Sequence, residues 1–441
     1  MKKLFTRKQF ARKLLALIMA LVLSAPASYA GILDSVKYYG EGAFYGLTAA
    51  SYAVTMFYGT LGIKGNISEN ISAAAALGYT NLWGNNGGIY SADGTPVSGS
   101  GGGDGLLNTL KLVEANITFD KMFDIDGLKL KIGRQSYGDK ESMVMYFGVR
   151  DHLGTGAGTA ILGAPSAFDL YVHTGFLSPI TSIDAAVAYY ENENIKANLM
   201  FAALTNNSIF GGSSSNFTIS GFDFKYLNIA NMIDAQAYFY DIENGALAGS
   251  VIARHYDIVG IKGTFHKEIG ENAIKASIEG AKSLAGKGIL SNDVDRSDTG
   301  FIKLDASFNI AKIGITPRLS YGLFGFGKYD VGSVTNYDKR FFSFGNYSPG
   351  LIMGYGHAWL SDDQILNLGC DYTLLKKITF IFDWYNSSPV NGDEKAVNEI
   401  DFQAKYAFTE NIDASIGIAH LFANKSVNDV AYMHAGVSYK F

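Results

Sequence analysis

Seven histidines and one cysteine are the side chains best suited to nucleophilic, acid–base or metal chemistry, and their spacing points to none of it. The histidines are scattered, without an H-E-x-x-H helix or a pair at metal-ligand spacing. His255 and His357 are the histidines a hydrolase could use, but no G-x-S-x-G turn presents a serine nucleophile. Asp293, Asp295 and Asp298 offer oxygens to Ca²⁺, yet the glycine and glutamate of a calcium-binding loop are missing. The glycine-rich run at 98–105 precedes no helix, so it lacks the helix N-terminus that cradles phosphate. Cys370 has no partner for an internal disulfide and reads as a small apolar residue between Leu368 and Tyr372. These residues predict no catalytic group, no metal and no cofactor.

What does recur is charge at two-residue intervals. Lys129 with Lys131, Lys303 with Asp305, and Glu399 with Asp401 and Lys405 each share one face of an extended chain. The opposite face is apolar, with Ile302, Leu304, Ala306 and Phe308 in one stretch and Ile400, Phe402, Ala404, Tyr406 and Phe408 in another. The stretch AYMHAGVSYKF repeats the pattern, setting Met433, Val437, Tyr439 and Phe441 against His434, Ser438 and Lys440. A wet face and a greasy face on each segment place every strand between water and an apolar medium.

Eighteen such segments are predicted, at 36–48, 53–67, 71–81, 108–119, 128–138, 181–191, 195–205, 216–228, 231–242, 251–266, 272–285, 298–310, 314–326, 365–375, 377–388, 397–408, 412–423 and 430–441. Short polar turns, as at 68–70, 191–194, 228–230 and 409–411, alternate with longer Gly/Ser/Asp-rich connections such as 82–107, 139–180, 286–297 and 327–364. Residues 167–174 also alternate; counting them would break the even parity, so they are placed within a long loop, and sixteen or twenty strands stay open. Only 7 prolines, against 51 glycines, 29 phenylalanines and 27 tyrosines, suit a large sheet, since proline deletes ladder hydrogen bonds.

The chain opens with Lys2, Lys3, Arg7, Lys8, Arg12 and Lys13, then a ten-residue apolar run at 14–23 and small residues leading to Ala30. Residues 1–30 read as a cleaved signal peptide, because the run is too short for a bilayer span of roughly 20 residues. Residues 31–441 are one domain. Removing six basic residues leaves 30 Lys and Arg against 41 Asp and Glu, a balance of −11 that argues against nucleic acid as a partner.

A secreted β-sandwich would need an apolar core on the charged faces, and those faces carry charge on nearly every strand. Aromatics gather at two levels, with Phe119, Tyr226, Phe308, Phe408 and Phe441 toward the turns and Trp83, Tyr137, Trp384 and Tyr385 toward the loops. The fold expected is a closed antiparallel transmembrane β-barrel with short periplasmic turns and long outer loops. Signal peptide, strand count and the terminal strand with Tyr439 and Phe441 resemble Gram-negative outer-membrane porins along the whole mature chain. KIGRQSYGD, at 131–139, resembles the GRQ…YGD element of the eighteen-stranded alginate-export-type barrels, whose pores are lined by basic residues. The resemblance implies residence in the bacterial outer membrane, contact with lipid and lipopolysaccharide, and reading of Tyr439 and Phe441 by the barrel-assembly machinery.

Turned inward, the polar faces supply Lys111, Glu114, Lys129, Lys131, Asp184, Asp234, Lys303, Asp305, Arg318, Glu399, Asp401 and Lys405, a lumen of mixed sign. Such charges serve either to bias ion passage or to brace the wall as pairs. Two loops are candidates for narrowing the lumen: 139–180 with Arg150, Asp151 and His152, and 327–364 with Lys339 and Arg340. The expected activity is passive diffusion of small hydrophilic solutes, and the alternative is a surface barrel of structural or adhesive role whose loops plug the lumen. An apolar wall is compatible with a monomer or a homotrimer, in which one side is buried against neighbours.

Overall fold

The structure, a computed structural model, describes residues 35–49, 52–83, 109–139, 142–148, 182–206, 215–245, 255–285, 299–326, 340–341, 360–361, 363–389, 396–422 and 429–441. Residues 1–30 and 167–174 lie outside them. Eighteen strands form one sheet. They are β1 Lys37–Ala49, β2 Tyr52–Ser68, β3 Ile71–Trp83, β4 Thr109–Asp120, β5 Leu128–Gln135, β6 Ile183–Glu191, β7 Ile195–Asn206, β8 Ser215–Ile229 and β9 Ile233–Gly245. The second half comprises β10 His255–Ile269, β11 Asn272–Ala285, β12 Thr299–Asn309, β13 Ile315–Phe326, β14 Asp363–Leu374, β15 Ile378–Pro389, β16 Val397–Thr409, β17 Ile412–Phe422 and β18 Val430–Lys440.

Each strand pairs antiparallel with its sequence neighbours, and β18 pairs back onto β1 from Glu41↔Lys440 to Ala49↔Tyr432. The sheet is therefore closed, and no strand is left with an unpaired edge. At the seam, Phe441 N–H donates to Gly40 O at 2.9 Å and Gly40 N–H to Phe441 O at 3.0 Å. The rings of Tyr439 and Phe441 lie nearly parallel, 7° apart, over Gly42 and Gly40. A Cβ on Gly40 would stand 2.7 Å from the Phe441 ring, so glycine there is what lets the aromatic side chain cover the joint.

Burial assigns the two faces. The apolar side of each alternation looks outward: Leu199, Phe222, Ile261, Ile278, Leu304, Phe382, Phe402 and Ile418 are all exposed. The polar side is enclosed, as at Glu114, Glu279, Asp383 and Asp401. That inversion of the soluble pattern is what an apolar surrounding requires. Tight turns close one end, several by left-handed residues; at Gly314 (φ 68°) an added Cβ would run into the Thr373 carbonyl oxygen. No helix among the described residues is long and apolar enough to cross a membrane.

Strand ends match the sequence expectation within a few residues, with one instructive difference. β5 was expected to run to residue 138 and stops at Gln135. Gly133 (φ 118°) and Gly138 (φ 90°) bend the chain there, and the connection leaves the wall for the interior.

Candidate functional site

The enclosed face is divided into a charged zone and an apolar zone. On β4, Glu114 accepts bonds from the Tyr39 hydroxyl, from Asn116 Nδ2 at 2.9 Å and from Lys131 Nζ of β5 at 3.2 Å. Lys129 meets Asp120 at 3.2 Å and Lys225 meets Asp234 at 3.4 Å. Farther round, Lys262 reaches Glu279 at 3.3 Å while the Tyr238 hydroxyl donates to the same carboxylate at 3.0 Å. Lys303 and Asp305 pair at 2.6 Å on β12. Arg318 Nη2 bridges Asp371 at 2.8 Å and Asp383 at 3.0 Å, and Asn367 Nδ2 donates to the other Asp383 oxygen at 2.9 Å.

Period-2 spacing explains why these groups meet. Most ion pairs join adjacent strands at the same or a nearby inward position, Lys303 and Asp305 pair two residues apart on one strand, and Arg318 reaches across β14 to Asp383. The effect is a hydrated wall in which opposite signs are stitched together ladder by ladder. Glu399 and Asp401 are fully buried on β16, and Lys405 on the same face is exposed to the lumen. Lys111 pairs in register with Gly78.

The apolar zone lies toward the long loops. Beyond Gln135, residues 142–148 turn into the barrel, and Met143, Val144, Met145 and Phe147 are buried there. They form one cluster with Ile183, Val187, Met200, Ile219, Tyr240 and Phe301, inward residues from the middle and loop ends of their strands. Several bonds hold the bend. Gln135, wholly buried, donates Nε2 to the carbonyl oxygens of Lys131, Gly133 and Ala185 and accepts from the Tyr189 hydroxyl at 3.4 Å. Tyr137–Gly138 pairs with Tyr146–Phe147, and the Tyr137 and Tyr240 hydroxyls lie 3.4 Å apart. Ser142 Oγ accepts from the backbone N–H groups of Val144 at 3.2 Å and Met145 at 3.0 Å. The KIGRQSYGD stretch is thus the hinge by which a loop is carried inside.

Two sequence expectations need correction or restriction. Asp184 does not face the lumen: it pairs across from Ala203, beside the outward Phe201, and its carboxylate meets Arg134 on the outer surface. Of 139–180, the described residues 142–148 that pack inside the barrel are mainly apolar. Arg150, Asp151, His152 and Lys339 lie outside the described residues, as do Asp293, Asp295, His357 and the glycine run. Arg340–Phe341 pairs as backbone with Leu360–Ser361. Among the described residues no group of three His, Cys, Asp or Glu is placed to hold a metal.

This architecture is found in solved bacterial proteins. The chain superposes on Pseudomonas aeruginosa OpdK, solved with vanillate, with a TM-score of 0.60 at 11% identity over 93% of this chain and 100% of that one. Pseudomonas aeruginosa OccK3 (OpdO) gives 0.59 at 12% identity over 94% and 98%, and Acinetobacter baumannii OccAB4 gives 0.58 at 11% over 92% and 98%. Comparison with family models and with curated sequences finds no match. At these identities the likeness establishes the closed eighteen-stranded fold.

Proposed function

We propose that this protein is an outer-membrane channel through which small hydrophilic solutes diffuse passively. The observation that carries the reading is the closed eighteen-stranded wall with its apolar residues outside and its ion pairs inside. A barrel of that strand number is too wide for side chains alone to fill and leaves an aqueous path. One similarly folded chain, at a TM-score of 0.59 and 10% identity over 93% of this chain and 100% of that one, is described as the outer membrane protein OpdK from Pseudomonas aeruginosa. In this reading residues 1–30 direct export and are removed. Lipid and lipopolysaccharide surround the wall, and the barrel-assembly machinery reads Tyr439 and Phe441 on the last strand.

The wall charges act as a group. Because Lys131, Lys303 and Arg318 each sit within 3.2 Å of a carboxylate, they hydrate the path without giving it a dominant sign. Residues 142–148 narrow it from one side. The protein works by geometry and field, with no bond made or broken, so it is not an enzyme. The eighteen-strand count is shared with the alginate-export-type barrels, but their basic lining is not matched by this mixed interior.

The loop segment inside the barrel is also what a plugged, non-conducting surface protein would contain. Swelling of proteoliposomes in sugars of graded size separates the two readings. Entry of small sugars with a sharp size limit is expected, and vesicles that stay sealed to every sugar would refute the channel.

A further inference from the structure

We infer that the outer face of β4–β7 is an interface between two copies of this chain, closed by a ring of four charges. The inference rests on the membrane-spanning reading above. Arg134 of β5 and Asp184 of β6 form a bidentate pair on the outward surface, Nε to Oδ1 at 2.8 Å and Nη2 to Oδ2 at 2.5 Å, and Nη1 also donates to Leu112 O at 3.2 Å. Their side chains remain 35% and 45% exposed to whatever lies outside the barrel.

Height makes this unusual. Arg134 stands six positions up from Leu128, where β5 leaves its tight turn, and Asp184 stands seven up from Glu191. At about 2.5 Å of axial rise per residue for a strand tilted ~40°, that is roughly 15 Å above the turns, inside an apolar band ~25 Å tall. Other strands carry Phe222, Ile278, Leu368, Ile418 and Met433 six or seven positions up, all exposed and all apolar. The outer-face acids Asp241 and Asp257 come higher, eight and twelve positions up. Charge half-exposed at this depth is unfavourable against hydrocarbon, and protein cover removes that contact.

The pair is its own complement. A two-fold axis along the membrane normal between β5 and β6 would set Arg134 of one copy against Asp184 of the other, and the reverse. Each charge would then gain a second opposite partner in place of lipid. On the pair's own row the outward positions are small, Ala75, Ala115 and Ala203, with Ala186 one step below, and the exposed Leu112, Ile132 and Phe201 beside them offer apolar contact to a facing wall. A three-fold arrangement would instead bring this face against a different one and leave the charges without that match.

Disulfide trapping tests the geometry. In a Cys370→Ser background, Ala186→Cys places a thiol one step below Asp184, next to the proposed axis, and Ile278→Cys serves as a far-wall control. Insertion into vesicles is established first by co-sedimentation; failure to insert overturns the membrane reading together with the interface. For inserted protein, oxidation is expected to convert most Ala186→Cys to a covalent dimer and almost none of Ile278→Cys. Light scattering in nanodiscs should give a dimer for the natural protein and a monomer for Arg134→Leu/Asp184→Leu. An inserted natural protein that is monomeric or trimeric, or an Ala186→Cys variant that does not cross-link, overturns the interface alone.

Discussion

Truncating Met145 tests whether the loop segment inside the barrel sets the width of the path. Met145 is 1% exposed and belongs to the cluster with Ile183, Met200, Tyr240 and Phe301. Met145→Ala should remove about 2–5 kcal/mol, the usual range for emptying a buried Met or Leu site. The eighteen wall ladders do not depend on that contact, so the loss falls on the docking of residues 142–148 rather than on the barrel. A change of that size is a factor of roughly 30 to several thousand in the ratio of docked to released segment. Single-channel recording in planar bilayers should show a larger mean conductance with added open-state noise. Met145→Leu, which conserves volume and costs under about 1.5 kcal/mol, should behave as the natural protein does. If Met145→Ala folds, inserts and conducts with unchanged amplitude and noise, the apolar segment does not define the constriction.

Arg318→Met leaves Asp371 and Asp383 facing the lumen without their shared cation, so the zero-current potential in a KCl gradient should move toward the cation side. The shift should be largest near 0.1 M salt, where the screening length is about 10 Å, and nearly vanish at 1 M, where it is about 3 Å; a move toward chloride would contradict the pairing. Gln135→Leu removes the amide that holds three carbonyls and the Tyr189 hydroxyl, and should lower stability to urea by about 1–3 kcal/mol. Unchanged unfolding midpoints would show that the bend is held elsewhere. Phe441→Ala strips a ring that is 55% exposed, so the folded barrel should lose only about 1 kcal/mol of burial. Its larger effect should be on assembly in cells, read as the fraction of barrel reaching the outer membrane against the fraction folding from urea in vitro.

The strands were legible because their alternation is forced: each spans two media, so period 2 persists for ten or more residues without help from distant contacts. That is why Ile302, Leu304 and Phe308 could be set outward and Lys303 and Asp305 inward from sequence alone. The method weakens where both faces are apolar. IDAAVAYY, around Asp184, offers no polar partner to fix parity, and the acid was turned to the lumen when its neighbours in register turn it out. The interior cluster escaped for the same reason. Phe301 beside Ile302 and Ile219 within TISGF mark strand ends where the inward position is greasy, a sign that something apolar packs inside. SMVMYFG was the matching signal in the loop, overshadowed by the charges of Arg150 and Asp151 just after it. The early end of β5 depended on glycine geometry and side-chain bonding to distant carbonyls, which spacing does not encode.

Closure of β18 onto β1 has a further consequence. A circle of strands has no loose end from which to fray, since any one of them can leave only by breaking two neighbouring rows of backbone bonds together. Loss of the native state must begin with a rupture that nothing local softens, so the molecule should persist for long periods even where its unfolded form would be preferred. Durability of this kind resides in the height of a barrier, and it is conferred by the ring as a whole.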